Sequence, residues 1–315
     1  MNAPSARPSD RASTWLCAVV IGVVAATPPR ATGTEIHEDI WKVPIEVATS
    51  PRTASPTRLD MLVTVVRPRR PGRQPFIILL HGRPASADDF VKIGRAEYPT
   101  NARYFADLGF TVLVPTRIGY GVTGGPDVEY TGPCHDKRPE DGASAALREV
   151  RALISVIQKD PHIDPQHGVI LGESFGGLVA VAAASSKLPG IRATINIAGG
   201  DGGDSLHHVD APCDPDKLTA AFRHFGAINR LPTLWVYSSN DRFWGAEFPH
   251  RWFDEFRRAG GRGQFEALPA DKNNGHFVFT RNPPLWQPAV VSFLTPLMLP
   301  TTATSSGPLN PERTR

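Results

Sequence analysis

The sequence is poor in cysteine, with only Cys17, Cys134 and Cys213 among 315 residues. That excludes a disulfide-built scaffold and a multi-cysteine zinc domain. It also lacks an excess of charge of one sign: 34 basic residues face 31 acidic ones, for a formal net charge of +3. No nucleic-acid partner is expected from so even a balance. Long apolar runs are missing too. The most apolar stretch, residues 12–26, covers about 15 positions, short of the roughly 20 a membrane span needs. What is present is ordinary for a globular chain: 41% apolar and 21% charged residues, with 28 glycines and 31 prolines. That composition suits many short elements joined by turns.

The two ends read differently from the middle. Residues 1–11 are polar and carry Arg7 and Arg11, the apolar run follows, and Val24-Ala25-Ala26 offers small residues before Thr27-Pro28-Pro29. This is the pattern of a secretory signal peptide, residues 1–26, cleaved near Ala26. The rival is an uncleaved anchor; Thr14-Trp15-Leu16 before Cys17 is a poor lipoprotein signal. Residues 301–315 are Thr, Ser, Pro and charge without apolar period, and are expected to be a disordered tail. Residues 27–300 remain as one α/β domain, exported to the periplasm or secreted, with no membrane contact after cleavage. Loss of the leader removes Cys17. The even pair left, Cys134 and Cys213, reads as a disulfide in an exported protein. Free thiols, or a metal held with His135, His207 and His208, are the alternatives, and no ligand pair has zinc spacing.

Between the ends, strand and helix patterns alternate. Ile36 to Val47 and Leu59 to Arg67 read as an antiparallel opening pair. Continuous apolar runs at Phe76 to Leu80, Phe110 to Val114 and Val169 to Leu171 read as strands buried on both faces. Ala193 to Ala198, Thr233 to Ser238 and Gln264 to Leu268 supply three more. Helical spacing covers Asn101 to Leu108, Ala143 to Lys159, Leu178 to Ser186, Asp216 to Phe225, Phe248 to Ala259 and Trp286 to Leu297. Alternating βα units imply a mostly parallel sheet of about eight strands with helices on both faces. Ligands of such sheets bind beyond the carboxyl ends of the strands.

One such end is Gly172-Glu173-Ser174-Phe175-Gly176-Gly177, between a strand and a helix. A Gly-x-Ser-x-Gly match is weak by itself, but a sharp strand-to-helix turn needs its glycines and pushes the serine hydroxyl into the open. The hydroxyl then sits at the positive end of a helix. A serine nucleophile also needs a base and an acid that orients the base.

At this point the chain resembles the α/β-hydrolase family, whose catalytic residues follow the order serine, acid, histidine. The resemblance runs from about Phe76 to Phe277 and implies an α/β-hydrolase fold; the roughly 30 residues between Ala198 and Leu231 leave room for a small lid only. That order leaves His250 and His276 as candidates for the base. His276 lies in a loop just after the last strand, where the family keeps its base, whereas His250 falls in a helical stretch. Asp241, directly after strand Leu234 to Tyr237, matches the acid; Glu247 and Asp254 are rivals that read as helix surface. The family's oxyanion donors carry over to the amides of Phe175 and of Arg83 in His81-Gly82-Arg83-Pro84, where Pro84 has no N–H to give. The Arg83 side chain either faces solvent or attracts an acidic substrate group, and His81 reads as a turn residue. Arg117-Ile-Gly-Tyr120-Gly-Val-Thr123 looks like the glycine turn after the fourth strand of many members.

Within the family the chain looks closest to dienelactone-hydrolase-like esterases, though dienelactone hydrolases proper use cysteine where Ser174 stands. Epoxide hydrolases and haloalkane dehalogenases share the His-Gly-x-Pro loop but use an aspartate nucleophile. Tyr120, Phe243 and Trp244 are expected either to line the substrate pocket or to pack. The run Gly199-Gly200-Asp201-Gly202-Gly203-Asp204 lacks the residues of a phosphate or calcium loop and reads as a flexible rim. The expected activity is hydrolysis of a small carboxylic ester through an acyl-enzyme on Ser174, without metal or organic cofactor. The alternatives are a peptidase resembling the prolyl oligopeptidase catalytic domain and a non-catalytic binding protein on the same fold. The oligomeric state is left open by the sequence.

Overall fold

A computed structural model describes residues 34–47 and 56–300. The expected leader, residues 1–26, and tail, residues 301–315, lie outside the described residues. The chain opens with strands β1 (Ile36–Val47) and β2 (Thr57–Pro68), paired antiparallel with Ile36 opposite Pro68 and Val47 opposite Thr57. Then follow β3 (Gln74–Leu80), α1 (Pro99–Leu108), β4 (Thr111–Thr116), α2 (Pro139–Ile157), β5 (Ile163–Glu173), α3 (Phe175–Ala184) and β6 (Ile191–Ile197). A short hairpin, β7 (Gly203–Asp204) and β8 (His208–Pro212), precedes α4 (Pro215–Ala227) and β9 (Thr233–Ser238). The chain closes with α5 (Glu247–Arg258), β10 (Gly263–Leu268), α6 (Val278–Arg281) and α7 (Pro283–Leu294).

Eight strands form one sheet in the order β1-β2-β4-β3-β5-β6-β9-β10. From β4 onward every neighbour is parallel. The reason lies in the strands' composition. A run such as Phe76-Ile-Ile-Leu-Leu80 sends alternate side chains to opposite faces, so both faces must be covered. Phe76, Ile78 and Leu80 join one apolar cluster, which includes Leu153 of α2, Phe222 of α4 and Trp252 of α5. Ile77 and Leu79 join the other, with Phe105 of α1 and Trp286 of α7. Helix α3 is apolar around its whole circumference, and all ten of its residues are buried, as expected of a helix in the centre of a layer.

Several boundaries shift from the sequence expectation for local reasons. Helix α2 starts at Pro139 rather than Ala143, because a proline fits the first helical turn and Glu140 and Asp141 suit its positive end. Helix α3 starts at Phe175 rather than Leu178, so it begins at the residue after Ser174. Helix α7 starts at Pro283, and Thr295–Leu297 follows it as a 3-10 turn. The β7–β8 hairpin was not foreseen: two-residue and five-residue strands leave too little period to read. No helix among the described residues is long and apolar enough to cross a membrane.

Candidate active site

The strand-to-helix turn is built by steric exclusion. A Cβ on Gly172 would collide with the Gly176 carbonyl, and one on Gly176 with the Leu80 carbonyl. Ser174, between them, has φ 53° and ψ −124°. Non-glycine residues avoid that region, and surrounding structure must hold them there. Here the Ser174 N–H donates to the Ile197 carbonyl at 3.0 Å, and the Ser174 carbonyl accepts from Gly177 at 2.8 Å and Gly200 at 3.2 Å. The hydroxyl projects from the carboxyl end of β5.

Asp241 and His276 arrive from the carboxyl ends of β9 and β10. Asp241 is fully buried, and its Oδ1 accepts from the Phe243 and Trp244 backbone N–H groups at 2.8 and 3.3 Å. His276 sits in a 3-10 turn capped by Asn274, whose Oδ1 accepts from the His276 N–H at 3.1 Å. Asn240 ties the two loops together, accepting from the Asp271 N–H at 2.9 Å and donating to the Lys272 carbonyl at 3.1 Å. Imidazole Nδ1 lies 3.0 Å from Asp241 Oδ2, and Nε2 lies 3.1 Å from Ser174 Oγ. Three side chains from three loops thus form one continuous hydrogen-bonded chain. The Phe243 ring stacks on the imidazole at a centroid distance of 3.9 Å. Neither rival acid, Glu247 nor Asp254, and not His250, belongs to this chain. His250 lies in α5 against the Phe265 ring.

The loop after β3 passes close over the serine: a Cβ on Gly82 would stand 3.1 Å from Ser174 Cβ. His81 is buried, with Nδ1–H donating to the Gly82 carbonyl at 2.7 Å and Nε2 accepting from the Arg117 N–H at 3.2 Å. Burial first and the Arg117 charge second hold its pKa well below the ordinary histidine value, so it is neutral. No cis peptide bond occurs among the described residues, so the Arg83 N–H points opposite to the Gly82 carbonyl, away from His81. Phe175 supplies a first-turn N–H at the start of α3.

Two expectations are corrected here. Tyr120 does not line a pocket. It is fully buried, accepting from Arg83 Nη1 at 2.8 Å and donating to Glu129 Oε2 at 2.7 Å. Its burial and the Glu129 charge push its pKa upward. The Arg83 guanidinium is neither solvated nor free for a substrate: it pairs with Asp127, with Nη1 2.7 Å from Oδ1, and lies 4.6 Å over the Phe90 ring. A strand-end aromatic and an exposed-looking arginine gave no sequence sign that Asp127 and Glu129 would fold back beneath them.

The glycine run is corrected as well. Gly199, Gly200 and Asp201 are buried, because the backbone is wedged between Ser174 and the Trp244 indole. A Cβ on Gly200 would stand 2.7 Å from that ring. Only the later part reaches the rim, as strand β7. Cys134 and Cys213 form a disulfide between the loop before α2 and the end of the hairpin. His208 lies beside them: its ring nitrogen and the two sulfurs fall within 4.8 Å of one another. The bridge occupies both sulfurs, so neither is a thiolate ligand or a free thiol.

Phe243 and Trp244 line a cavity of about 330 Å³ with Ser174, Phe175, Lys137 and the disulfide. A second cavity, of about 530 Å³, is lined by Ser174, His276, Phe277, Tyr98 and Glu173. Tyr98 and Glu173 escaped sequence reasoning although Glu173 adjoins the serine. The Tyr98 hydroxyl donates to Glu173 Oε1 at 2.6 Å, and burial raises the carboxyl's pKa. Tyr98 takes φ 48° at the start of α1, a left-handed residue whose position only the folded loop reveals.

The description of a known family, the alpha/beta hydrolases, matches residues 77–308. The chain belongs to the alpha/beta hydrolase family. Solved structures agree on the fold. An esterase from Pyrococcus furiosus superposes with a TM-score of 0.55 at 15% identity, over 88% of this chain and 98% of that one. A dienelactone hydrolase candidate from Klebsiella pneumoniae gives 0.54 at 15% identity, over 83% and 97%. Acylaminoacyl peptidase from Pyrococcus horikoshii gives 0.55 at 12% identity, over 87% of this chain but only 43% of its own. A search of curated proteins finds no match to this sequence. The hydrolase therefore shares its fold with an esterase and with part of a peptidase.

Proposed function

We propose that this hydrolase is a serine carboxylesterase with Ser174 as nucleophile, His276 as base and Asp241 as the acid that orients it. The observation that carries the reading is the two-ended engagement of His276, with Nε2 toward the serine and Nδ1 toward a buried carboxylate. Asp241 accepts from Nδ1–H and fixes the tautomer that leaves Nε2 able to take the Ser174 proton. The alkoxide attacks the ester carbonyl, and the amides of Phe175 and Arg83 receive the developing oxyanion. His276 then gives the proton to the leaving alcohol and activates water to release the acid. We read the substrate as a small ester, since loops and the β7–β8 hairpin border the cavities at Ser174: the loop after β3, the loop before α2, and Gly203, Asp204 and His208. The reading includes export, with residues 1–26 as leader; the disulfide fits an oxidising compartment.

A fluorophosphonate probe should label Ser174 in the folded protein, and p-nitrophenyl acetate should be turned over in preference to a dipeptide amide. Ser174→Ala should lower kcat by several orders of magnitude. Absence of labelling would favour a binding protein on this fold, and faster amide cleavage a peptidase.

A further inference from the structure

Ser174 lies where the two cavities meet, and only the larger has His276 in its wall. In acyl transfer the imidazole that takes the serine proton returns it to the leaving oxygen. The leaving alcohol must therefore lie on the His276 side, in the larger cavity. The acyl group is left the smaller cavity, about 330 Å³, between Phe175 and the disulfide.

Two permanent cations line that smaller cavity, Arg83 and Lys137. Arg83 is held by Asp127 in a two-pronged pair, so its charge is answered. Lys137 is not answered. Its ammonium donates to the buried Thr131 hydroxyl at 3.1 Å and enters no ion pair among the described residues. Asp201 and Asp204 line the same cavity; neither pairs with the ammonium, and Asp204 is engaged by His207. The lysine is also held in place. Its backbone N–H donates to Asp214 Oδ2 at 3.2 Å, and its loop is tied through Cys134 to Cys213. Its stem crosses Gly202, at φ +73°, where a Cβ would stand 3.2 Å from Lys137 Cε and 2.9 Å from Cys213 Cβ. A half-buried ammonium fixed over a cavity, in no ion pair of its own, can take an anion as its partner.

We propose that Lys137 determines acyl specificity: the preferred substrates are monoesters of small dicarboxylic acids, whose far carboxylate meets the Lys137 ammonium. This rests on the esterase reading of Ser174. The reaction remains hydrolysis. The acyl C–O bond breaks, water supplies hydroxyl to the acyl carbon and a proton to the alcohol, and a dicarboxylic acid leaves.

The test compares two esters that share alcohol and chain length, monoethyl glutarate and its neutral amide counterpart ethyl glutaramate, by kcat/KM at pH 7.5. Wild type should prefer the anionic ester by about tenfold, the size expected of one charge-assisted hydrogen bond, and the preference should shrink with added salt. Lys137→Met should bring the ratio to about one or below, and Lys137→Arg should restore part of it. A wild-type ratio of one or less, or an unchanged ratio in Lys137→Met, would overturn the proposal. If wild type cleaves ethyl glutaramate and Ser174→Ala does not, the esterase reading survives that failure. If wild type cleaves neither ester and Ser174 takes no fluorophosphonate, both readings fall.

Discussion

At the scale of single residues, the polar groups beneath the active site depend on one another's charge. Arg117 is fully buried and paired with the equally buried Glu129, and its Nη1 donates to the His81 carbonyl at 2.8 Å. Glu149 lies in the same pocket. Its Oε2 accepts from the Ile118 N–H at 2.9 Å, while Oε1 has no partner. One guanidinium answers one carboxylate, so the second carboxyl keeps its proton. Burial, with the Glu129 charge adding to it, pushes Glu149 up from 4.5 to about 8. The folded protein therefore holds this proton up to about pH 8, whereas the unfolded chain releases it near 4.5. Proton loss from the unfolded chain alone means that stability declines as pH rises through that window. Glu149→Gln, which keeps an acceptor for Ile118 and cannot ionise, should raise the urea midpoint at pH 8.5 by the equivalent of a few kcal/mol. At pH 5 it should change little. Equal shifts at both pH values would show that Glu149 is ionised in the fold.

At the scale of elements, function depends on how closely α3 approaches the loop after β3. The Gly176 backbone lies against the Leu80 and His81 carbonyls with no room for a side chain. The same approach brings the first N–H of α3 to the loop that carries Arg83. Gly176→Ala should therefore lose activity by displacing α3 from that loop, and should lower the thermal midpoint as well, because the obstacle is backbone and cannot rotate away. A folded, fully active Gly176→Ala protein would show that the turn has slack the geometry does not suggest. The strand runs and the serine turn were legible at this scale because each is a local pattern, whereas the order of its partners came from the resemblance to the family. The β7–β8 hairpin and the N-terminal extensions of α2 and α3 were not, since short strands and first helical turns take their form from contacts rather than period.

At the scale of the whole molecule, the disulfide joins segments separated by 79 positions, the loop leading into α2 and the hairpin over the site. Closing a loop of that length stabilises by about 4.5 kcal/mol on a chain-entropy account. Cys134→Ser with Cys213→Ser should lower the unfolding free energy by a few kcal/mol. It should also free the rim that bears Lys137, weakening acyl discrimination more than turnover. Denaturant titration beside the paired-ester assay would separate the two effects; unchanged stability would mean that the bridge closes a segment already ordered. The sequence by itself determined the layer order, the buried strands and the candidate nucleophile, because apolar period and glycine turns act over a few neighbouring residues. Only the tertiary structure decided that Tyr120 is buried, that Arg83 is committed to Asp127 and that Lys137 lines a cavity with Ser174 outside any ion pair among the described residues. Those outcomes depend on which distant charges are brought within a few ångströms, and chain closure sets those distances, not residue type.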